Sequence, residues 1–191
     1  MSALADLVLE ASTCTRCRLS DSRTQVVFGE GPVDARVLVV GEAPGRDEDI
    51  QGRPFVGRSG QLLERLLLEE AGLSRQDCYI TNVNKCRPPA NRDPEPSEVA
   101  ACRPWLDRQL DLFKPVVVLT LGNFAARALL GTTSGITKLR GRVYPWQGGA
   151  VLVPTFHPSA ALRGNAAALA GMRADIVRVR ESLDRAGPVP A

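Results

Sequence analysis

Four residue types at separated points of this 191-residue chain could do chemistry together if the fold brought them to one place. Glu42 follows the apolar, β-branched run Val37-Leu-Val-Val-Gly41. Asn82 ends a second run, Cys78-Tyr-Ile-Thr-Asn82, and His157, the only histidine, follows a third, Val151–Phe156. Phe55 stands in Gly52-Arg-Pro-Phe55-Val-Gly57, a segment too polar and broken to read as core. A carboxylate, an amide, an imidazole and an aromatic ring would offer a base, a group that both donates and accepts, a donor and a stacking face. A lone histidine is by default a surface or core residue; its position just past an apolar run changes that reading. No Ser or Cys sits in a nucleophile elbow, and one His cannot build a His-rich metal site.

The five cysteines form the second set. Cys78 falls inside an apolar run and reads as a buried hydrophobe. Cys14 and Cys17 make a C-x-x-C, while Cys86 and Cys102 lie 16 positions apart; all four are expected in or beside loops. Scattered free thiols are one reading. A Cys₄ zinc site is another, but such sites usually come as two tight pairs. An iron–sulfur cluster tolerates the uneven spacing, because four thiolates need only converge on a larger cube. The spacing leans towards [4Fe–4S] and leaves zinc open.

These residues need elements to hold them. Residues 3–11 read as a short helix with Leu4, Leu7 and Val8 on one face, and 25–28 as a short edge strand. The run 36–41 is a fully buried strand, followed by a loop from Gly41 to about Gly60 that is far longer than an ordinary connection. Its glycines match neither Gly-x-Gly-x-x-Gly nor a Gly-Lys-Ser/Thr fingerprint. Ser59 is placed to cap a helix over 60–71, with Leu62, Leu63, Leu66 and Leu67 inward and Gly72 as its stop. A strand at 78–83 leads to a Pro-rich loop and a helix from Ser97 to about 113, kinked or broken at Pro104. Strand 116–121 is followed by a short helix over 123–130. Arg142–Trp146 and Ala150–Pro154 flank Gln-Gly-Gly as a hairpin. A final helix over about 167–183 turns Met172, Ile176, Val179 and Leu183 inward, and the tail 187–191 is expected to be loose. Strands alternating with helices predict an α/β fold with a mainly parallel sheet and helices on both faces. With no repeat or linker, one domain spans 1–191. Glu42, Phe55, Asn82 and His157 then share the carboxyl edge of the sheet, where open α/β sheets bind ligands.

Composition bounds the rest. Hydrophobic content of 44% and charged content of 24% are those of an ordinary globular chain with a substantial core. No apolar run approaches the ~20 residues of a membrane span, and the N-terminus has no signal-peptide pattern. The net charge is only +3, yet cations are 21 Arg to 3 Lys. Arg forks onto phosphate, although a GC-rich genome produces the same bias. Arg87, Arg92, Arg140, Arg142 and Arg163 all fall in expected loops.

Taken together, Gly41-Glu-Ala-Pro-Gly45, Gly52-Arg-Pro-Phe-Val-Gly57, Thr81-Asn-Val-Asn-Lys-Cys-Arg-Pro-Pro89 and Phe156-His-Pro-Ser159 resemble the motifs of the family 4 uracil-DNA glycosylases, the iron–sulfur members of that superfamily. The likeness runs from about Cys14 to the final helix, with motifs and cysteines in family order. It implies a three-layer α/β/α sandwich and a [4Fe–4S] cluster ligated by Cys14, Cys17, Cys86 and Cys102. It also implies excision of uracil from single- or double-stranded DNA, by a monomer without a membrane, in the cytoplasm and associated with the nucleoid.

On that resemblance the uridine is flipped into a pocket. Phe55 stacks on uracil, and Asn82 accepts from N3–H and donates to O4, a pattern cytosine inverts. His157 and loop amides around Gly41, Glu42 and Ala43 donate to O2 as the base leaves as an anion. Glu42 orients or deprotonates water and stabilises the sugar cation. Glu48 crowds C5 and excludes thymine. Ser159 contacts DNA, and Leu162 or Arg163 fills the vacated stack. The related UdgX-like proteins carry a Lys-Arg-Arg-Ile-His segment that crosslinks to the abasic sugar; Ser134-Gly-Ile-Thr-Lys-Leu-Arg-Gly141 here has no His. Family 5 enzymes lack the acidic residue where Glu42 stands. A non-enzymatic DNA-binding or redox module is the reading from another class, and the joint presence of Glu42, Asn82 and His157 argues against it.

Overall fold

A computed structural model of the protein describes residues 2–187. Of the tail expected to be loose, only Gly187 falls among them, as the C-cap of the last helix; 188–191 lie outside the described residues. In chain order the elements are α1 (Ala3–Ser12), β1 (Val37–Gly41), α2 (Arg46–Gln51), α3 (Arg58–Ala71), β2 (Cys78–Asn82), α4 (Pro96–Leu110), β3 (Val117–Leu121), α5 (Gly122–Leu130), α6 (Ile136–Leu139), β4 (Tyr144–Pro145), β5 (Val151–Thr155), α7 (Pro158–Leu162) and α8 (Ala166–Ala186).

The strands form one sheet in the order β2-β1-β3-β5-β4, parallel except for the short antiparallel β4. Alternate side chains go to opposite faces. Val37, Val39, Ile80, Leu119 and Val153 meet Leu63, Leu66 and Leu67 of α3 and Met172, Ile176 and Val179 of α8. Leu38, Val40, Tyr79, Val118 and Leu152 meet Leu106 of α4 and Ala125 and Leu129 of α5. Both faces are covered, which is why the strands read as continuous apolar runs rather than alternating ones. The sandwich expected from the sequence is therefore the architecture observed.

Register fixes the site. Gly41 pairs with Asn82 across β1 and β2, and Leu121 with Thr155 across β3 and β5. The strands thus end level with one another, and the loops after β1, β2, β3 and β5 open on the same edge. From β1 the chain goes first to β2 on one side and later to β3 on the other, the reversal at which such sheets hold ligands.

Several expectations are corrected. Residues 25–28 form no strand: Val27 N–H donates to the Lys85 carbonyl, and just beyond the segment Glu30 makes an isolated bridge with Ile80. The long loop after β1 contains α2, whose first turn is held by the Glu48 side chain rather than by a Ser or Asp cap. Ser59 is not the cap of α3; the helix begins at Arg58 behind Gly57. Pro104 neither ends nor breaks α4, which runs through it and stops at Leu110. Val8 is not on the buried face of α1, where Leu7 and Ala11 are the buried residues. Cys102 lies within α4, inside the helix expected from Ser97. Among the described residues no helix is long and apolar enough to cross a membrane.

Gly60 marks the tightest packing in α3: a Cβ there would lie 1.8 Å from the Phe55 carbonyl oxygen and 2.2 Å from its carbon. Backbone cannot yield as a flexible side chain does, so overpacking of about 1–3 kcal/mol is expected. Gly60→Ala should lower the melting temperature by several degrees, at about 2–4 °C per kcal/mol for this chain length, read by calorimetry. An unchanged melting temperature would mean that α3 can slide away from the Phe55 turn.

Candidate active site

The loops at the carboxyl edge enclose a cleft of about 610 Å³, lined among others by Glu42, Phe55, Asn82, Asn123 and His157. Gly41, at the end of β1, is what lets its floor form. A Cβ at this position would stand 2.4 Å from Asn82 Oδ1 and 2.4 Å from Phe55 Cζ. The amide and the ring therefore meet over a bare backbone.

Asn82 is buried, and its Oδ1 has no hydrogen-bond partner among the described residues. A buried acceptor left open costs about 1–3 kcal/mol and marks a place where a ligand donor belongs. Phe55 is not a surface ring delivered by a polar loop. It is only 5% exposed, packs with the α3 core cluster, and holds φ at +52°. Its ring centre lies 6.0 Å from that of His157, tilted by 39°.

His157 is the N-cap of α7. Its Nδ1 accepts from the Ser159 amide at 3.2 Å and lies 2.9 Å from Ser159 Oγ. A nitrogen that accepts from an amide carries no proton, so in the neutral ring the proton sits on Nε2 as a donor. Burial, reinforced by nearby Arg163, pushes the imidazole down to about 4. His157 is thus a neutral donor at working pH.

Glu42 is the opposite case. Burial and then the charge of Asp93 push its carboxyl up to about 7. A carboxylate poised there takes a proton near neutrality. Its backbone carbonyl is fixed by the Asn84 amide at 2.9 Å, which extends the β1–β2 pairing past the strands.

Glu48 lines the same cleft, but its carboxylate is committed elsewhere. It accepts from the amides of Gly45 at 3.1 Å, Val56 at 2.9 Å and Gly57 at 2.9 Å, clipping the Phe55 turn onto α2. Ala43 and Ser159 line the cleft, as does Arg163, and Leu162 and Arg163 are exposed at the end of α7. Among the loop arginines, Arg140 is bound to the buried Asp175 and Arg92 to the buried Glu98. Neither is free to take a phosphate. Asp93 and Asn123 were not among the residues singled out by sequence; a polar residue in a Pro-rich loop or after a strand carries no signal of its own. Glu48 had one, because Gly45-x-x-Glu48 has the spacing of a capping box.

A second hollow lies behind α4, lined by Cys14, Cys17, Cys86 and Cys102. Cys78 is buried in β2 away from it, its thiol pushed up to about 12 by burial. Three N–H groups point at the sulfurs. Trp105 Nε1 donates to Cys14 Sγ at 3.2 Å, the Lys85 amide to Cys102 Sγ at 3.2 Å and Arg23 to Cys86 Sγ at 3.5 Å. Such bonds favour thiolates. Among the described residues, no group of three His, Cys, Asp or Glu side chains is arranged to hold a single metal ion. Four cysteine side chains from three separate parts of the chain line this one hollow.

A doubly covered α/β sheet thus carries an aromatic ring, an open amide acceptor and a neutral imidazole around one cleft at its carboxyl edge. The uracil DNA glycosylase superfamily model matches residues 28–179, and the chain belongs to that superfamily. It is 49% identical to the type-4 uracil-DNA glycosylase of Thermotoga maritima over 84% of each chain. It is 45% identical to that of Sulfurisphaera tokodaii over 85% of this chain and 77% of the relative. The type-5 uracil-DNA glycosylase of Thermus thermophilus is 36% identical over 70% of this chain and 68% of its own.

Desolvated groups in the cleft leave a trace in stability. A carboxyl raised from 4.5 to about 7 binds more protons folded than unfolded between those values, so the fold loses stability as pH rises through that window. Glu42→Gln removes the loss. The variant should melt a few degrees above wild type at pH 8 and at the same temperature near pH 4. Equal melting at both pH values would show that Glu42 is not desolvated.

Proposed function

We propose that this protein excises uracil from DNA by hydrolysis of the N-glycosidic bond, leaving an abasic site. The observation that carries the reading is the buried, unpartnered Oδ1 of Asn82 beside the Phe55 ring. Uracil presents an N3–H donor and an O4 acceptor, which match the two ends of the Asn82 amide; cytosine presents the reverse. A base in a duplex hides its glycosidic bond, so the nucleotide must swing out into the cleft. Phe55 then stacks on it, worth roughly 1–3 kcal/mol.

In the reaction the C1′–N1 bond breaks and its electron pair leaves with uracil, where it spreads to O2. His157 donates from Nε2 to that oxygen, aided by amides at Gly41–Ala43. The sugar is left cationic and is stabilised by the Glu42 carboxylate. Water adds to C1′, and its proton passes to Glu42. Glu48 affects base choice through the turn it clips, since its own oxygens are taken. Ser159 and Arg163 meet the DNA backbone and Leu162 enters the gap in the stack. The segment over 134–141 holds no histidine, which keeps the reaction hydrolytic.

Cys14, Cys17, Cys86 and Cys102 would hold a [4Fe–4S] cluster. When bound it supplies a covalent crosslink between the N-terminal segment, the loop after β2 and α4. The purified protein should be brown, with absorbance near ~400 nm and iron on analysis. Cys86→Ala should lose iron and solubility, while Cys78→Ala should keep both. One zinc and no iron would sink the cluster.

Single-turnover excision should rise with pH through about 7 as Glu42 ionises and then level, with no second limb from His157 above pH 5. His157→Ala should slow excision by about 10²–10³, the cost of one oxyanion donor, with affinity for uracil-DNA changed only a few-fold. His157→Gln should retain more activity than alanine. Cleavage by His157→Ala at the wild-type rate would remove the imidazole from the reaction.

A further inference from the structure

Phe55 sits in a backbone conformation that the rest of the fold must impose. Its φ of +52° lies in the left-handed region, which a bulky residue adopts only when its surroundings require it. Gly60 presses from one side, where no Cβ would fit against the Phe55 carbonyl. Arg75 holds the other. Its Nη1 donates to the Phe55 carbonyl at 3.0 Å, and its Nη2 donates to the Pro54 carbonyl at 2.5 Å. The guanidinium is itself pinned by Glu64 at 2.8 Å and Glu30 at 2.9 Å. Glu30 is tied to β2 through its backbone bridge with Ile80. Arg75 is mostly buried and belongs to the turn before β2, at the amino end of the sheet, whereas the cleft opens at the carboxyl end.

We propose that Arg75 is a positioning residue for excision. Its planar fork holds two successive carbonyls, and so fixes the turn that sets the Phe55 ring over Gly41 at the height where a base must lie. A lysine, with one ammonium, cannot hold both carbonyls in that geometry. The inference rests on the reading of Phe55 as the ring that stacks on uracil. Arg75 acts through that ring and touches neither base nor DNA.

The test compares wild type, Arg75→Met, Arg75→Lys, Phe55→Leu and the Phe55→Leu/Arg75→Met double variant, each purified as the full chain. Three quantities are read: single-turnover excision of uracil from a duplex, inhibition by free uracil, and affinity for a duplex carrying a tetrahydrofuran abasic analogue. Phe55→Leu should lower the rate and weaken uracil inhibition by about 5- to 100-fold, the worth of a base stack. Arg75→Met should reproduce about tenfold of both losses, and Arg75→Lys should recover part of them. Residues acting through one another are not additive, so the double variant should fall within about threefold of Phe55→Leu alone. Affinity for the abasic analogue should stay within about threefold throughout, which a general loss of structure would not allow. Wild-type excision by Arg75→Met overturns the inference and leaves the reading of Phe55 intact. Wild-type excision by Phe55→Leu overturns both. Losses that multiply in the double variant make Arg75 an independent stabiliser and overturn the inference alone. Should Arg75→Met fail to fold, Arg75→Lys and Glu64→Gln, which loosens the guanidinium without removing it, carry the same comparison.

Discussion

The close approach over Gly41 is the constraint on which the site depends. Any side chain at that position would occupy the space where the Asn82 amide and the Phe55 ring now stand, at 2.4 Å from each. The remaining features serve to keep that approach open and loaded. Parallel pairing of Gly41 with Asn82 puts the amide level with the strand end. The three amides gathered by Glu48 and the two carbonyls held by Arg75 fold the Phe55 turn back over the same point. A loop of this composition, left to itself, would sample many conformations. Here two partly buried charges set its course. Glu48 collects donors and Arg75 collects acceptors, so each satisfies backbone groups that a ligand cleft would otherwise leave unpaired.

The cost of this arrangement lies in protonation. Glu42 is raised and His157 lowered, and in both cases burial is the larger cause. Neither has a charged partner of the kind that stabilises Glu98 beneath Arg92 and Arg18, where the carboxyl is held down to about 2. A fold selected for stability alone would have paired them or left them in water. In the cleft the same desolvation leaves a carboxyl that ionises near neutrality and an imidazole that stays neutral. Electrostatic interactions with a developing anion are also stronger where water is excluded.

Much of this was legible in the chain. Strands β1, β2, β3 and β5 were visible as continuous apolar runs because both faces of the sheet are covered, and the leucine face of α3 stood out for the same reason. Glu42, Asn82 and His157 could be placed together, because each follows directly on such a run and parallel strands end on one edge. What sequence could not give were the contacts made across the fold. Residues 25–28 have strand composition, yet they find a single amide bond to Lys85 instead of a ladder. Pro104 has the local character of a helix breaker, but α4 packs Leu106 and Trp105 on either side of the core and holds its course. Phe55 looks exposed because its neighbours are polar, and it is buried because Arg75, twenty positions away, draws in the turn that carries it. Arg140 and Arg92 look like free cations in loops until Asp175 and Glu98 are seen beneath them.

The same distance in sequence separates the cysteine hollow from the cleft, and Lys85 closes it. Its amide points at Cys102 Sγ, while its buried ammonium donates to the Asn82 carbonyl at 2.7 Å and to Thr81 Oγ1 at 2.7 Å. The Gln109 side chain of α4 completes the set and reaches Tyr79 Oη at 2.8 Å. One residue thus fastens the end of β2 to the helix that carries Cys102. A buried lysine is costly unless its donors are satisfied, and here three acceptors are converged on it. The N-terminal segment contributes Cys14 and Cys17 to the far wall of the hollow and has few contacts of its own with the sheet, α1 meeting chiefly α4. The hollow is therefore where the N-terminal segment, the loop after β2 and α4 come together, and the strand end that carries Asn82 is anchored to that junction rather than to solvent.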